Sequence, residues 1–123
     1  MAIHVTSEIG QLKKVLLHRP GKELEHLVPD ELSRLLFDDI PYLKVAQQEH
    51  DFFANILRKH GAEVVYLEDL VAETLQQSDA LKAQFIARFI EEGGNVAQRY
   101  KNELMELLFG IEDVREMVLK TMA

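Results

Sequence analysis

The chain has 123 residues, 47% of them hydrophobic and 28% charged, with a formal net charge of −7 and a pI near 5.2. That profile suits one globular domain, or one small unit with an appendage, and its acidity argues against nucleic acid and anionic lipid as partners. Cysteine is absent, which excludes disulfides, thiolate metal sites and a thiol nucleophile within these residues.

The N-terminus, MAIHVTSEIG, lacks the basic start and apolar core of a secretory signal, and no apolar run approaches the ~18 residues of a membrane span. A cytoplasmic protein is expected. Ile3–Thr6 and Lys13–His18 read as two strands, parted at Gly10 and closed by Pro20-Gly21. Val15, Leu16 and Leu17 form a continuous apolar run, the pattern of a strand covered on both faces. Pro29-Asp30 opens a short helical segment over 31–37. Pro41 suits the first turn of a longer helix to His60, with Gly61 as its C-terminal cap. Leu43, Ala46, His50, Phe53, Ala54 and Leu57 share one face of that helix. Glu63–Leu67 is a buried strand, with Glu68 and Asp69 at its end. Strand, helix, strand in this order predicts a parallel crossover.

Beyond Leu70 every pattern is helical. Leu81, Phe85, Phe89 and Ile90 make one stripe, broken by Gly93-Gly94. Asn95 can cap the next helix, with Gln98 in the capping-box position. Val96, Tyr100, Leu104, Leu107 and Leu108 make a second stripe, closed by Gly110. Val114, Met117, Val118 and Met122 make a third, which reaches the last residues without a stop signal, so a longer gene product is expected. The two parts, 1–70 and 71–123, carry balances of −4 and −3, so periodicity and not charge marks the boundary.

The strings IHVTSEIGQLKKVLLHRPG and LVPDELSRLLFDDI, followed by AEVVYLEDL after the long helix, closely resemble the N-terminus of bacterial arginine deiminases. Those enzymes hydrolyse arginine to citrulline and ammonia. The resemblance implies an α/β fold: the first strand–strand–helix–strand blade of a five-bladed pseudosymmetric propeller over 1–70, then part of a helical insertion over 71–123. Edges left over in the blade would meet the remaining blades of the same polypeptide, and a homo-oligomer is expected. In the family a cysteine near the C-terminus attacks the guanidinium carbon, while a His, a Glu and two Asp residues orient it and move protons. None of these falls within 1–123, so no catalytic residue is assigned here. One position does carry over. In the family the second leucine of the LLF segment lies over the bound arginine near its backbone end, where carbonyl oxygens suit an α-ammonium, and the resemblance implies this role for Leu36. Read without the resemblance, Leu36 is a helix-end residue packed on the core; only with it do the two readings stand level.

Other candidates are weaker. Asp38 and Asp39 could attract a cation, but adjacent acids before a helix usually serve its N-terminus. Lys22, Glu23 and Glu25 read as surface charge. His4 and His18, on neighbouring strands, could approach each other, yet a zinc site needs more ligands in a tetrahedral set. His50, on an apolar helix face, reads as a satisfied core histidine, and His18, at a strand end, as structural. There is no HExxH, GxSxG, GxGxxG or Walker motif, so no metal and no organic cofactor is expected. The leading expectation is an N-terminal piece of an arginine deiminase, inactive by itself. The alternatives are a stand-alone binding or assembly module on the same fold, and an amidinotransferase-type relative, which LLFDDI and the following helices fit less well.

Overall fold

Two short strands and the helix between them organise the first half of the molecule. A computed structural model describes residues 4–123. Strand β1 (Lys14–Leu17) pairs in parallel with β2 (Glu63–Tyr66), in the register Lys14↔Glu63, Val15↔Val64, Leu16↔Val65 and Leu17↔Tyr66. Between them run a 3₁₀ turn (Lys22–Leu24), helix α1 (Pro29–Leu32) and helix α2 (Leu43–Lys59). Five helices follow: α3 (Leu67–Leu75), α4 (Asp79–Glu92), α5 (Gly94–Arg99), α6 (Lys101–Phe109) and α7 (Val114–Met122).

The parallel crossover is therefore present, and the chain uses few residues to turn. Helix α2 ends in a paired motif: the Gly61 N–H donates to Arg58 O and the Ala62 N–H to Leu57 O, both at 3.0 Å. Gly61 sits at φ +85°, the left-handed geometry that this cap requires and that glycine adopts without a Cβ clash. Lys14 and Glu63, directly opposite in the register, close an ion pair of 2.7 Å.

Several expectations need correction. The expected first strand lies partly outside the described residues; His4–Thr6, which are described, form no strand, so the sheet has two strands among the described residues. His4 is accordingly not on a strand beside His18. Leu16 is 53% exposed, so β1 is not covered on both faces by this chain. Helix α2 starts at Leu43, leaving Pro41 and Asp39 outside it; Asp39 instead accepts from the adjacent Ile40 N–H at 2.7 Å. The expected face of α2 buries Ala54 fully but leaves Phe53 half exposed. Strand β2 stops at Tyr66 because α3 begins at once at Leu67. Asn95 is not a cap: α5 begins at Gly94, itself at φ +73°, and no side chain caps it. The expected second helix is split at Tyr100 into α5 and α6.

The main core lies in the helical part. Leu75, Ile86, Ile90, Leu108, Met117 and Val118 bury one another, drawing on α3, α4, α6 and α7. Two unforeseen caps fix helix starts. The Ser78 hydroxyl accepts from the Ala80 N–H, and the Asp113 carboxylate from the Arg115 and Glu116 N–H groups. Cap bonds of this kind hold otherwise orphaned amide donors. Lys82 Nζ donates to Ile111 O at 3.1 Å, tying α4 to the loop before α7, and Arg115 Nε donates to Asp69 Oδ1 at 2.6 Å, tying α7 to α3. By contrast, among the described residues of the first half the buried hydrophobic ones are the alanines Ala54 and Ala62. Val45, Phe52, Phe53 and Ile56 on α2 are all exposed, Phe52 to 69%. No described helix is long and apolar enough to cross a membrane.

Ile86→Ala removes a side chain with no exposure, and is expected to destabilise the chain by about 2–5 kcal/mol in denaturant unfolding. The uncovered apolar surface of α2 and β1 is expected to drive self-association of the 123-residue chain. Its melting temperature then rises with concentration, and sedimentation across a wide dilution range shows the shift; concentration-independent melting of a strict monomer would refute it.

Candidate functional site

Parallel strands bring their carboxyl ends to one edge, and ligands of open α/β sheets collect there. Leu17 pairs with Tyr66, so His18 is the first residue beyond β1 and faces the first turn of α3. That turn carries Glu68, which is 2% exposed. His18 Nδ1 lies 3.1 Å from Glu68 Oε2, and on the other edge of the ring Nε2 lies 3.1 Å from Glu23 Oε1. The same Glu23 oxygen accepts the Gly21 N–H at 2.6 Å. The 3₁₀ turn is thus folded around a carboxylate and clamped to the β2–α3 junction through one imidazole.

The electrostatics follow from that contact. Burial of the His18 ring opposes its charge, but the hydrogen bonds and negative charges of Glu68 and Glu23 outweigh it and raise the pKa above the usual histidine value. For Glu23, burial works against ionisation, but the Gly21 N–H, its own N–H and His18 prevail and hold the carboxyl below its ordinary range. Alongside, Arg19 makes a two-pronged contact with Asp51 of α2: Nε to Oδ1 at 2.8 Å and Nη2 to Oδ2 at 2.9 Å. Gln47 of α2 donates to Pro20 O at 2.9 Å. The His18–Gly21 segment is held on both sides.

His18 joins two carboxylates, Glu23 is not simple surface charge, and Glu68 is the most consequential residue that the sequence did not single out. A usable signal existed: a strand-end histidine followed five residues later by a carboxylate, with an acid at the start of the element after the parallel partner. His50 departs from its expectation. It packs against Tyr66 with ring centroids 5.9 Å apart, but its buried Nδ1 has no hydrogen-bond partner. Among the described residues no group of three or more His, Asp or Glu is placed to hold a metal ion; the two carboxylates around His18 approach opposite ring edges and do not converge.

Leu36 lies on a different feature. After α1 the Phe37 N–H donates to Leu32 O at 2.9 Å and the Leu36 N–H to Ser33 O at 3.4 Å. This is the same paired cap that ends α2, but here the left-handed position, φ 61°, is held by leucine. A leucine there costs roughly 1–2 kcal/mol of backbone strain that glycine would avoid. Its side chain is 91% exposed, so it does not pack on the core of this chain. Backbone positions of this kind cluster at binding and catalytic sites of proteins in general. Leu35, Phe37, Ile40 and Tyr42 around it are exposed as well. A shallow cleft of about 470 Å³ lies nearby, lined by Leu24, Glu25, Ile40, Tyr42, Lys44 and Gln47. It is too open to enclose a small molecule on its own. The structure does not bring Leu36 and the His18 cluster into contact.

Residues 33–123 match the family described as arginine deiminase. The chain belongs to the arginine deiminase family. It is 58% identical over 120 residues to an arginine deiminase of Treponema denticola, 58% over 122 residues to one of Clostridium perfringens, and 59% over 121 residues to one of Streptococcus sanguinis. These alignments take in 98–99% of the chain but 29–30% of each relative, so the chain spans under a third of the length of the curated relatives it matches. The arginine deiminase match includes Leu36 and Glu68, and the relatives' coverage extends to the N-terminal part as well.

Two substitutions separate strain from packing at Leu36. Leu36→Val, β-branched at a left-handed position, is expected to speed hydrogen exchange of the Phe37 amide by about fivefold or more, the equivalent of about 1 kcal/mol. Leu36→Gly leaves that exchange equal or slower. Equal exchange in all three chains would mean that the backbone there is relaxed.

Proposed function

We propose that this chain is the N-terminal part of an arginine deiminase whose complete polypeptide hydrolyses L-arginine to L-citrulline and ammonia. The observation that carries the reading is identity of 58–59% across nearly the whole chain to arginine deiminases of three genera. Residues 1–70 supply the first blade of an α/β propeller and 71–123 part of a helical insertion. The parallel β1–α2–β2 unit and the helical core support two parts, with helix α3 (Leu67–Leu75) running across the boundary at 70.

The chemistry belongs to residues outside this chain. A cysteine thiolate there attacks the guanidinium carbon, ammonia leaves, and water cleaves the adduct to citrulline and free thiol. These 123 residues contain no cysteine, so they bind and shape. Leu36 is the contribution we assign: its side chain covers the bound arginine, and its segment offers carbonyl oxygens to the α-ammonium. Exposure of Leu36 and its strained backbone support that role. The enzyme works as a homo-oligomer in the cytoplasm without metal or organic cofactor, its remaining blades covering the apolar surface left open here.

The purified complete protein is expected to release citrulline from arginine, and the 123-residue chain to release none. In the complete protein Leu36→Gly is expected to raise KM for arginine roughly tenfold while kcat stays within about twofold, because apolar cover is lost and the reacting groups are untouched. Citrulline from the purified short chain would overturn the reading. An inactive complete protein would favour a non-catalytic module on the same fold.

A further inference from the structure

An imidazole between two carboxylates can satisfy both only as the cation. Neutral histidine has one N–H, so its other nitrogen presents a lone pair to a carboxylate oxygen, which repels it. At His18 both contacts are 3.1 Å, and the carboxylates come from different elements: Glu68 from α3 and Glu23 from the 3₁₀ turn. Their surroundings differ. The Glu68 carboxylate is almost fully buried, whereas the side chain of Glu23 keeps 29% exposure and has the Gly21 N–H as a second partner. When one contact must go, the buried carboxylate keeps its hydrogen bond, because it has no water to replace it.

We propose that His18 is a pH-operated latch: as imidazolium it clamps the Gly21–Leu24 turn to the β2–α3 junction, and as neutral imidazole it keeps Glu68 and frees the turn. The other charged and titratable groups on the surrounding elements are engaged elsewhere. Arg19 is held by Asp51 of α2, and Asp69 of α3 by Arg115 of α7. His50 of α2 packs on Tyr66 of β2, and Lys22 of the turn is exposed. None offers a second donor to Glu23. The Gln47 contact to Pro20 O does not depend on His18, so release begins at Gly21 and not before. The freed turn leads directly into residues 25–42, the segment that carries Leu36.

The sign follows from the raised pKa of His18. The latch is complete below the ordinary histidine value of about 6.5 and is lost as pH rises through the higher folded value. The latch does not rest on the deiminase reading, and its test uses no catalysis.

Histidine C2 hydrogen exchange, read by mass spectrometry on the complete protein, gives the titration of His18. Amide exchange in peptides spanning 21–25, corrected for intrinsic pH dependence, gives the state of the turn. The Leu24 and Glu25 amides are the reporters, because they donate to Gly21 O and Lys22 O within the turn. His18 is expected to titrate above about 6.5, and exchange of the turn to speed up about tenfold for each pH unit of that elevation that Glu23 supplies, read as the difference from the Glu23→Gln titration. Glu23→Gln keeps an acceptor for the Gly21 N–H and can donate to neutral Nε2. In that variant the turn stays protected across the range and the His18 titration falls toward 6.5. A wild-type His18 that titrates at or below 6.5, or turn exchange with the same pH profile in both proteins, would overturn the latch.

Discussion

A carboxylate as buried as that of Glu68 must meet a positive partner or lose its charge. Its hydrogen-bond partner is His18, fifty residues earlier in the chain. The contact exists because β1 and β2 run parallel in one register, which brings the residue after Leu17 beside the start of α3. A one-residue slip would turn His18 to the opposite face and leave the carboxylate unpaired. The ion pair and the sheet register therefore support each other. Through Glu23 the same imidazole organises the turn that follows β1, and through Arg19, Pro20 and their partners on α2 that turn is tied to the crossover helix.

This polar anchoring compensates for a sparse apolar core in the first half. Apart from alanines, the hydrophobic side chains of β1, α2 and β2 are partly or largely exposed, while the helices beyond α3 bury leucine, isoleucine, methionine and valine against one another. A two-stranded sheet covered by one helix has little interior to bury. Its specificity comes from register, a glycine-capped helix and charge pairs; the helical part draws on ordinary packing. Helix α3 links the two regimes, with Glu68 toward the sheet and Leu75 in the helical core.

The two helix ends of the first half make a controlled comparison. Both α1 and α2 finish with the same pair of backbone hydrogen bonds, and both place a residue in the left-handed region. Gly61 fills that position where only the turn matters. Leu36 fills it where a side chain stands in solvent. The strain accepted at Leu36 has no compensation in the packing of this chain, which directs attention to what the side chain meets outside it.

Much of the fold was legible because it is local. The spacing of Leu43, Ala46, His50 and Leu57 announced α2, Gly61 announced its end, and the apolar stripes announced α4, α6 and α7, though neither α3 nor the break at Tyr100. The resemblance carried by LLHRPG and LLFDDI pointed to the arginine deiminase family and to Leu36. What stayed hidden was set through space. No periodicity reveals that Glu23 and Glu68 meet opposite edges of one histidine, because that depends on register and not on neighbours in sequence. Nor does any turn rule anticipate leucine where glycine is preferred. Sequence by itself determined the family, the crossover and the amphipathic helices, since each depends on residues a few positions apart. Tertiary structure alone decided which charges are buried, which apolar faces remain open and which backbone position is strained, because burial and pairing are properties of the assembled chain.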